Sequence, residues 1–260
     1  MSAGAAISAE AVSYKYPGSE KDTFVIKELS FQLRCGEFAA VVGHSGCGKS
    51  TLLNLVMGLI FPLSGHLSVN GAPVTGGGTD RAIVFQDCSL FPWMTAAENV
   101  AFGVRQSRRL SRAESQIIAE MTLDMAGLCS GKDKYPAEMS GGMRQKTAIA
   151  RLLAMDSDIW LFDEPFSALD PDIRRSLQTQ IMDLAKNKTE GKSVLFVTHN
   201  IDEAILLSER VLFMENGAFS LDLPVPFAYP RTAAITQTKE YFALSDALSR
   251  RFYESRPRRK

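Results

Sequence analysis

Residues 38–51, which read FAAVVGHSGCGKST, decide the fold. The five residues from Phe38 to Val42 form an unbroken apolar run, which is typical of a strand buried on both faces of a parallel sheet. The run ends at Gly43, and a helical pattern follows from Leu52 to Gly58. The segment between them matches the phosphate-binding pattern GxxxxGK[ST] in the strand–loop–helix setting that this pattern requires.

The residue types in this loop suit a phosphorylated ligand. Glycines let successive backbone N–H groups converge on phosphate oxygens, and the start of the following helix adds positive potential. The pattern predicts that Lys49 reaches the β- and γ-phosphates and that Ser50 coordinates Mg²⁺. The alternative is a glycine-rich turn without a ligand. The predicted ligand-contacting residues of the loop are Gly43, His44, Ser45, Gly46, Cys47, Gly48, Lys49, Ser50 and Thr51.

Further apolar runs predict the rest of a parallel sheet. They occur at Ala82–Phe85, Ile159–Phe162 and Val194–Val197, and the segments between them are long enough to hold helices. This alternation of strands and helices is typical of an α/β protein.

The segments outside that sheet predict three additions to it. Loose apolar alternation in Ile7–Tyr14 and Phe24–Leu33 predicts antiparallel strands. The stretch at about residues 87–155 has mainly helical periodicity, which predicts a helical insertion. We expect one domain at residues 6–225 and an extension at residues 226–260 with a basic tail. In that extension, helical spacing over Lys239–Tyr253 predicts an amphipathic helix whose apolar face is Phe242, Leu244, Leu248 and Phe252.

Composition and charge exclude several classes of protein. The chain has 29 Lys and Arg residues against 29 Asp and Glu residues, which excludes a nucleic-acid binder that relies on bulk charge. The most apolar stretch, Leu52–Leu63, is too short for the roughly 20 residues that span a bilayer. The N-terminal residues show no secretory signal. Four scattered cysteines without a CxxC pair argue against a zinc site or disulfide framework and fit a reducing cytosol.

Two adjacent carboxylates end one of the predicted strands. Asp163 and Glu164 follow the run Ile159–Phe162, and strand alternation points their side chains in different directions. Asp163 suits the Mg²⁺ shell, and Glu164 suits a general base that polarises an attacking water. A solvated strand end is the alternative, but the phosphate-binding loop upstream favours the functional interpretation.

Ser140, Gly141 and Gly142 form a second anion-binding feature. They precede a helical run from Thr147 to Met155. Backbone donors are exposed at a helix start, and the serine hydroxyl adds one more, so these residues suit a phosphate. The alternative is an ordinary helix N-cap. One chain thus offers two candidate phosphate cradles.

Taken in order, the motifs resemble one family. The phosphate-binding loop is followed by Gln86, Ser140–Gly142, Asp163–Glu164, Ser167–Asp170 and His199. From Tyr16 to about Asn216, this order resembles the ATP-binding subunit of an ATP-binding cassette (ABC) transporter. The resemblance implies an α/β fold with a RecA-like P-loop NTPase core, an N-terminal antiparallel β subdomain and a helical insertion subdomain.

The resemblance also implies roles for individual residues. In this family two cassettes face head to tail, and the Ser-Gly-Gly element of one closes over the ATP held by the phosphate loop of the other. Asp170 is implied to couple the two sites, and His199 to contact the γ-phosphate. Gln86 is implied to link Mg²⁺ and water to the transporter interface. Tyr16 matches the aromatic residue that stacks on adenine, with Tyr14 as the alternative.

One position departs from the family pattern. Leu-Ser-Gly-Gly-Gln is usual, and this chain has Met143 where the glutamine stands, which removes amide hydrogen-bonding groups. The serine and glycines are intact. We therefore expect altered hydrolysis or dimer closure rather than inactivity.

A narrower resemblance comes from the stretch at residues 85–103. Its Leu-Phe-Pro-Trp-x-Thr core and Asn-Val-Ala-Phe-Gly ending resemble importer ATPases of the nitrate, sulfonate and taurine class. In the family this surface receives a short helix of the membrane subunit, so the segment Gln86–Trp93 is the predicted permease contact. The alternative is that Phe91 and Trp93 are core aromatics.

The resemblance implies an ATPase that powers solute import through a separate membrane permease, with ATP and Mg²⁺ as cofactors. Its catalytic residues would be Lys49, Gln86, Glu164 and His199, and its metal ligands Ser50, Gln86 and Asp163. Its partners would be a second copy of the chain, the permease and, indirectly, an extracytoplasmic solute-binding protein, with no nucleic acid. The protein is expected to be a peripheral membrane protein on the cytoplasmic side of the inner membrane.

Three other functions stay open at this point. A superfamily member in DNA repair or translation usually has a long coiled coil or two cassettes, and neither is present in this sequence. A phosphate-loop kinase would not need Ser140 or Asp170. A nucleotide-sensing module would not need Glu164. The imported solute is not fixed by the sequence.

Overall fold

The computed structural model describes residues 4–18, 23–167, 169–186, 191–229, 231 and 233–255. Ala168 and the basic tail Arg256–Lys260 lie outside the described residues. The chain divides into two compact units, one of Met1–Gly77 with Lys188–Lys260 and one of Gly78–Asn187. The predicted domain boundaries at residues 6–225 and 226–260 stay a prediction. The two compact units are divided at other positions and do not test these boundaries.

The described residues form ten strands and seven α-helices. The strands are β1 (Ala5–Tyr14), β2 (Ile26–Arg34), β3 (Phe38–Val42), β4 (Ser64–Val69), β5 (Ala72–Pro73), β6 (Arg81–Val84), β7 (Ile159–Asp163), β8 (Ser193–Thr198), β9 (Arg210–Glu215) and β10 (Ala218–Pro224). The helices are α1 (Lys49–Met57), α2 (Ala96–Arg108), α3 (Arg112–Met125), α4 (Gly141–Met155), α5 (Pro171–Lys186), α6 (Ile201–Leu207) and α7 (Lys239–Glu254). Short 3₁₀ turns lie at Cys129–Gly131, Pro136–Glu138 and Ala233–Gln237.

The first unit contains the predicted antiparallel sheet. Its strand order is β2-β1-β4-β5, and each neighbouring pair is antiparallel. In β2 the buried residues Leu29, Phe31 and Leu33 alternate with exposed ones, so one face of the strand packs inward. The predicted N-terminal antiparallel strands are therefore confirmed.

The same unit contains the strand that carries the phosphate-binding loop. All five residues of β3 are buried, and β3 is parallel to both β8 and β9. Parallel neighbours on both sides explain why the run Phe38–Val42 has no polar residue. Helix α6 packs on β3, and β10 closes the edge by pairing antiparallel with β9.

The second unit is mainly helical, as predicted for the stretch between Phe85 and Ile159. Strands β6 and β7 pair in parallel, and α2, α3 and α4 pack against one another. Thr95 and Ser111 begin α2 and α3 with capping boxes, in which Glu98 and Glu114 complete the reciprocal hydrogen bonds. These local signals fix where both helices start.

The predicted terminal helix is present as α7, but its predicted apolar face is partly wrong. Phe242 is 62% exposed, whereas its neighbour Tyr241 is buried. Leu248 is buried as predicted, and Leu244 and Phe252 are half-buried. Adjacent residues of a helix point about 100° apart, so the choice between two neighbouring aromatics depends on what the helix packs against.

Within the described ranges, no helix has both the length and the apolar character that crossing a membrane requires.

Candidate functional site

The phosphate-binding loop joins β3 to α1 and is tightly packed. A Cβ on Gly43 would lie 2.3 Å from the carbonyl oxygen of Met214, and one on Gly48 would lie 2.8 Å from the carbonyl oxygen of Val25. The backbone of Gly48 also has a φ of +110°. The Gly217 N–H donates a hydrogen bond to the carbonyl of Cys47 at 3.2 Å. Neighbouring backbone therefore leaves no room for a side chain at Gly43 or Gly48.

We predict that Gly48→Ala lowers the free energy of unfolding by about 3 kcal/mol, because it adds a steric clash to an unfavourable positive φ. Gly46→Ala is the matched control. Gly46 has a φ of +82°, but nothing lies within 4 Å of a Cβ there, so only the backbone cost of about 1–2 kcal/mol is expected. Urea denaturation of both variants measures the difference. Equal losses would show that close packing does not fix the loop.

Lys49 is the first residue of α1, and its side chain folds back over the loop. Its ammonium donates hydrogen bonds to the carbonyl oxygens of Gly43 and His44, both at 2.8 Å. The Lys49 ammonium also lies 3.9 Å from the sulfur of Cys47. The residue is only 7% exposed. The loop therefore holds a positive charge at its centre, where it can meet phosphate oxygens.

The other loop side chains divide into exposed and buried sets. Ser45 and Ser50 are exposed, Thr51 is buried, and His44 and Cys47 are half-buried. Burial raises the pKa of the Cys47 thiol, and the charge of Lys49 offsets only part of that rise. A thiol with a raised pKa stays neutral, and a neutral thiol is a poor nucleophile.

Tyr16 lies beside the loop. Its hydroxyl is 3.1 Å from the hydroxyl of Thr51, and the residue is 42% exposed. Tyr14 is buried and meets the Tyr16 ring edge-on, with ring centroids 5.1 Å apart. Because a stacking partner needs an open ring face, Tyr16 is the candidate and Tyr14 supports it.

His199 follows the last residue of β8 in the same unit. The side chain is exposed and lines a cavity of about 400 Å³ together with residues from the start of α6 and the end of α7. The next residue, Asn200, caps α6 by accepting hydrogen bonds from the N–H groups of Asp202 and Glu203. The position of His199 is thus set by a strand end and a helix cap.

In the second unit, the paired carboxylates take different environments. Asp163 is the last residue of β7 and is buried, whereas Glu164 is half-buried and has a φ of +49°. A positive φ is uncommon for glutamate and turns the chain sharply at the strand end. The side-chain amide of Gln145, which is fully buried in α4, donates to the Glu164 carbonyl at 3.3 Å. Sequence reasoning missed Gln145, although it is a polar residue on the apolar face of a helix.

Gln86 is exposed and begins a turn with an unusual backbone. The two residues Cys88 and Ser89 have φ values of +65° and +40°. Arg151 of α4 donates to both of their carbonyl oxygens, each at 3.0 Å. Burial lowers the pKa of Arg151, although Asp87 acts in the opposite direction. This arginine, which sequence reasoning also missed, ties the turn after Gln86 to α4.

Ser140 caps α4, which was the alternative interpretation of the Ser-Gly-Gly element. Its hydroxyl accepts a hydrogen bond from the Met143 N–H at 3.3 Å. Ser140, Gly141, Gly142 and the exposed Asp170 line one cavity of about 280 Å³, and Lys146 lines it too. The structure therefore brings together the predicted Ser-Gly-Gly element and Asp170, and it adds a lysine that suits an anion.

Met143 makes an apolar contact at the position where family members have glutamine. A Cβ on Gly131 would lie 2.6 Å from the methyl carbon of Met143, so this side chain packs directly on Gly131. The substitution thus replaces amide groups with packing inside the second unit.

The predicted permease contact combines a buried support with an exposed aromatic. Asn99 is fully buried; the Phe91 N–H donates to its side-chain oxygen, and its amide donates to the carbonyls of Phe91, Met94 and Thr95. Trp93 is 68% exposed and lines a cavity of about 590 Å³. Phe91 packs on Phe102 with ring centroids 4.9 Å apart, so Phe91 is partly a core aromatic and Trp93 is not.

The predicted Mg²⁺ donors are all oxygens. They are the hydroxyl of Ser50, the side-chain amide of Gln86 and the carboxylate of Asp163, which are ligand types that Mg²⁺ prefers. Over the part of the chain that the structure describes, no three His, Cys, Asp or Glu side chains are grouped to hold a metal ion. The donor types of the three predicted residues fit Mg²⁺.

The loop and the strands around it define a P-loop nucleotide-binding protein of the α/β class. A model of one family within that class, described as "ABC transporter", matches residues 26–167. The chain belongs to this family.

Two curated relatives from Synechococcus elongatus support the assignment. The nitrate import ATP-binding protein NrtC is 44% identical over 228 residues, which cover 86% of this chain and 34% of the relative. The chain thus spans about a third of that protein's length. The nitrate import ATP-binding protein NrtD is 38% identical over 252 residues, which cover 94% of this chain and 91% of the relative.

A solved structure supports the fold. It is a dimeric structure of an ATP-binding cassette in a post-hydrolysis state, bound to ADP and phosphate. Its TM-score to this chain is 0.78 at 29% sequence identity, over 85% of this chain and 100% of that chain. The predicted P-loop NTPase fold class is therefore confirmed.

Proposed function

We propose that this chain is an ATP-hydrolysing subunit that powers solute import through a separate membrane permease. The observation that carries the proposal is the phosphate-binding loop between β3 and α1, in which the buried ammonium of Lys49 is bonded to the carbonyls of Gly43 and His44. Family membership and the nitrate import relatives support it further.

In this proposal the loop binds the phosphates of ATP. Backbone N–H groups from Gly43 to Thr51 and the start of α1 face the phosphate oxygens, and Lys49 contacts the β- and γ-phosphates. The open ring of Tyr16 stacks on adenine. Ser50, Gln86 and Asp163 would hold Mg²⁺ directly or through water, and the ion would supply positive charge next to the phosphates.

Glu164 acts as the general base in the proposed reaction. Its carboxylate orients water and accepts a proton as the water attacks the γ-phosphate. His199 stabilises the charge of the transition state. Gln86 links Mg²⁺ and water in the site to the interface with the permease. The positive φ of Glu164 and its hydrogen bond from Gln145 support this role, because both hold the residue in a defined position.

The Ser-Gly-Gly element serves a second copy of the chain. Ser140, Gly141 and Gly142 close over the ATP bound by the other subunit, and Asp170 couples the two sites. The shared cavity of these residues and the presence of Lys146 support the proposal, since both suit a phosphate. A dimer is also consistent with the solved relative, which is dimeric and bound to ADP and phosphate.

The permease is proposed to dock on the surface that contains Gln86 and Trp93, and we propose that the subunit acts at the cytoplasmic side of the inner membrane. A large, exposed tryptophan beside a cavity suits an anchor for a short helix. The names of the two nitrate import relatives favour a small anion such as nitrate as the solute. A separate solute-binding protein outside the membrane would deliver it.

A competition experiment tests the proposal. The full chain is titrated with a fluorescent ADP analogue in the presence of Mg²⁺, and unlabelled ATP, ADP and AMP are then added as competitors. We expect ATP and ADP to compete and AMP to fail, because the loop contacts the β- and γ-phosphates. Phosphate release from ATP should accompany binding. Equal competition by AMP, or no release of phosphate, would contradict the proposal.

A further inference from the structure

The C-terminal helix α7 is anchored to the first unit at its N-terminal end. Thr238 caps the helix, and the buried side chains of Tyr241 and Leu248 face inward, where α7 packs on α6. The Tyr241 hydroxyl donates to the carboxylate of Asp202 at 2.5 Å. Burial and this carboxylate both raise the pKa of Tyr241, so the phenol stays protonated and keeps the bond.

The other end of α7 touches the phosphate-binding loop. The ring nitrogen Nε2 of His44 donates to the carbonyl oxygen of Phe252 at 2.5 Å, and the ring centroids of the two residues are 3.9 Å apart. A carbonyl can only accept, so the proton of a neutral His44 ring is placed on Nε2. The Phe252 ring also meets Phe213 of β9 edge-on, at 6.1 Å between centroids.

A neighbouring contact joins α7 to strand β9. Arg251 forms an ion pair with Glu215, the last residue of β9, at 2.8 Å between Nη2 and Oε2. Strand β9 also includes Met214, whose carbonyl leaves space only for glycine at position 43. The end of α7 therefore contacts the loop directly at His44 and indirectly through β9.

From these contacts we infer that α7 is a positioning element of the phosphate-binding loop and that Phe252 acts through His44 to raise nucleotide affinity. The inference rests on the proposed function. A nucleotide that binds a mobile loop must offset the entropy lost when the loop is ordered, and a loop that is already held has less to lose. Because His44 is the second residue of the loop, a contact there restrains the backbone N–H groups that follow.

The variant Phe252→Ala tests the inference in the full chain. Removal of one aromatic contact should weaken binding of the fluorescent ADP analogue about threefold to tenfold and raise the KM for ATP by a similar factor. The kcat should change less than twofold, because Phe252 is not one of the groups proposed to act on the γ-phosphate. Phe242→Ala is the matched control: it removes the same side chain from the same helix, but Phe242 is exposed and should leave both constants unchanged.

A double-mutant cycle separates positioning from a general loss of structure. If Phe252 acts through His44, then Phe252→Ala should cause no further loss of affinity in a His44→Ala background. Phe252→Leu keeps most of the apolar volume against Phe213 but removes the ring that meets His44. It should therefore show the loss in affinity with a smaller loss of stability in urea denaturation.

Three results would overturn the inference. They are unchanged or tighter nucleotide binding in Phe252→Ala, full affinity in Phe252→Leu, and an undiminished effect of Phe252→Ala when His44 is already alanine. In each of these cases the parent chain still binds nucleotide, so the proposed function survives. A parent chain that binds no nucleotide would contradict the proposed function itself.

Discussion

Glu164→Gln is expected to reduce ATP turnover by about 10²- to 10⁴-fold, the usual contribution of a general base. Glutamine has nearly the same shape but cannot accept the proton of the attacking water. ATP binding should remain, because the loop and Lys49 are unchanged. Two chains should then stay closed around unhydrolysed ATP, and this dimer should accumulate in sedimentation or size-exclusion experiments with Mg²⁺ and ATP.

The backbone around Glu164 makes this variant easy to interpret. The strained φ of +49° and the hydrogen bond from Gln145 involve the main chain, so neither depends on the carboxylate. Glu240→Gln is the control, because Glu240 is an exposed residue in the first turn of α7. Turnover of Glu164→Gln near the parent rate would show that another group activates the water.

The elements that could be predicted from the sequence are those with local causes. The run Phe38–Val42 is apolar because β3 has parallel neighbours on both sides, and the structure gives that strand the same bounds. The sequence predicts a helix from Leu52 to Gly58 directly after the loop, and α1 lies there but begins three residues earlier, at Lys49. Short-range signals of this kind need no knowledge of distant parts of the chain.

Strand β9 has a clear strand signal in the sequence that our prediction did not use. Its residues Val211–Met214 form an apolar run as continuous as those of β3 and β8, and all four are buried. The strand matters for the site because Met214 defines the space at Gly43. A full search for short apolar runs between turn residues would have found it.

The remaining site features depend on contacts between residues that are far apart in the sequence. Arg151 binds carbonyls of Cys88 and Ser89, about sixty positions earlier, and His44 binds Phe252 across 208 positions. Nothing in the pattern around either residue specifies its partner. The exposed Phe242 has the same cause, since the side of α7 that is buried is decided by α6.

The two interpretations of Ser140 are compatible once the cap is seen in detail. Its hydroxyl accepts from the Met143 N–H, which is one of several donors that a helix start leaves without intrahelical partners. The hydroxyl hydrogen stays available as a donor to a phosphate oxygen. A serine at this position can therefore begin the helix and also face a nucleotide held by another subunit.

Lys49→Ala is expected to weaken ATP binding by about 10²-fold or more, and turnover should fall with it. Two effects act together. The variant removes a charge-assisted contact to the phosphates, and it also removes the hydrogen bonds from Nζ to the carbonyls of Gly43 and His44. Those bonds hold the loop in its folded form, so the backbone donors lose their arrangement as well.

Lys49→Arg separates these two effects. It keeps the positive charge, but a planar guanidinium is larger than an ammonium and does not fit between two carbonyls that are 2.8 Å from Nζ in a nearly closed site. We therefore expect binding by Lys49→Arg to be impaired almost as much as by Lys49→Ala. Lys27→Ala, at an exposed position of β2, is the control for charge alone. Titration with the fluorescent ADP analogue measures the affinity of all three variants. Parental affinity in Lys49→Ala would contradict the assignment of this loop as the phosphate-binding site.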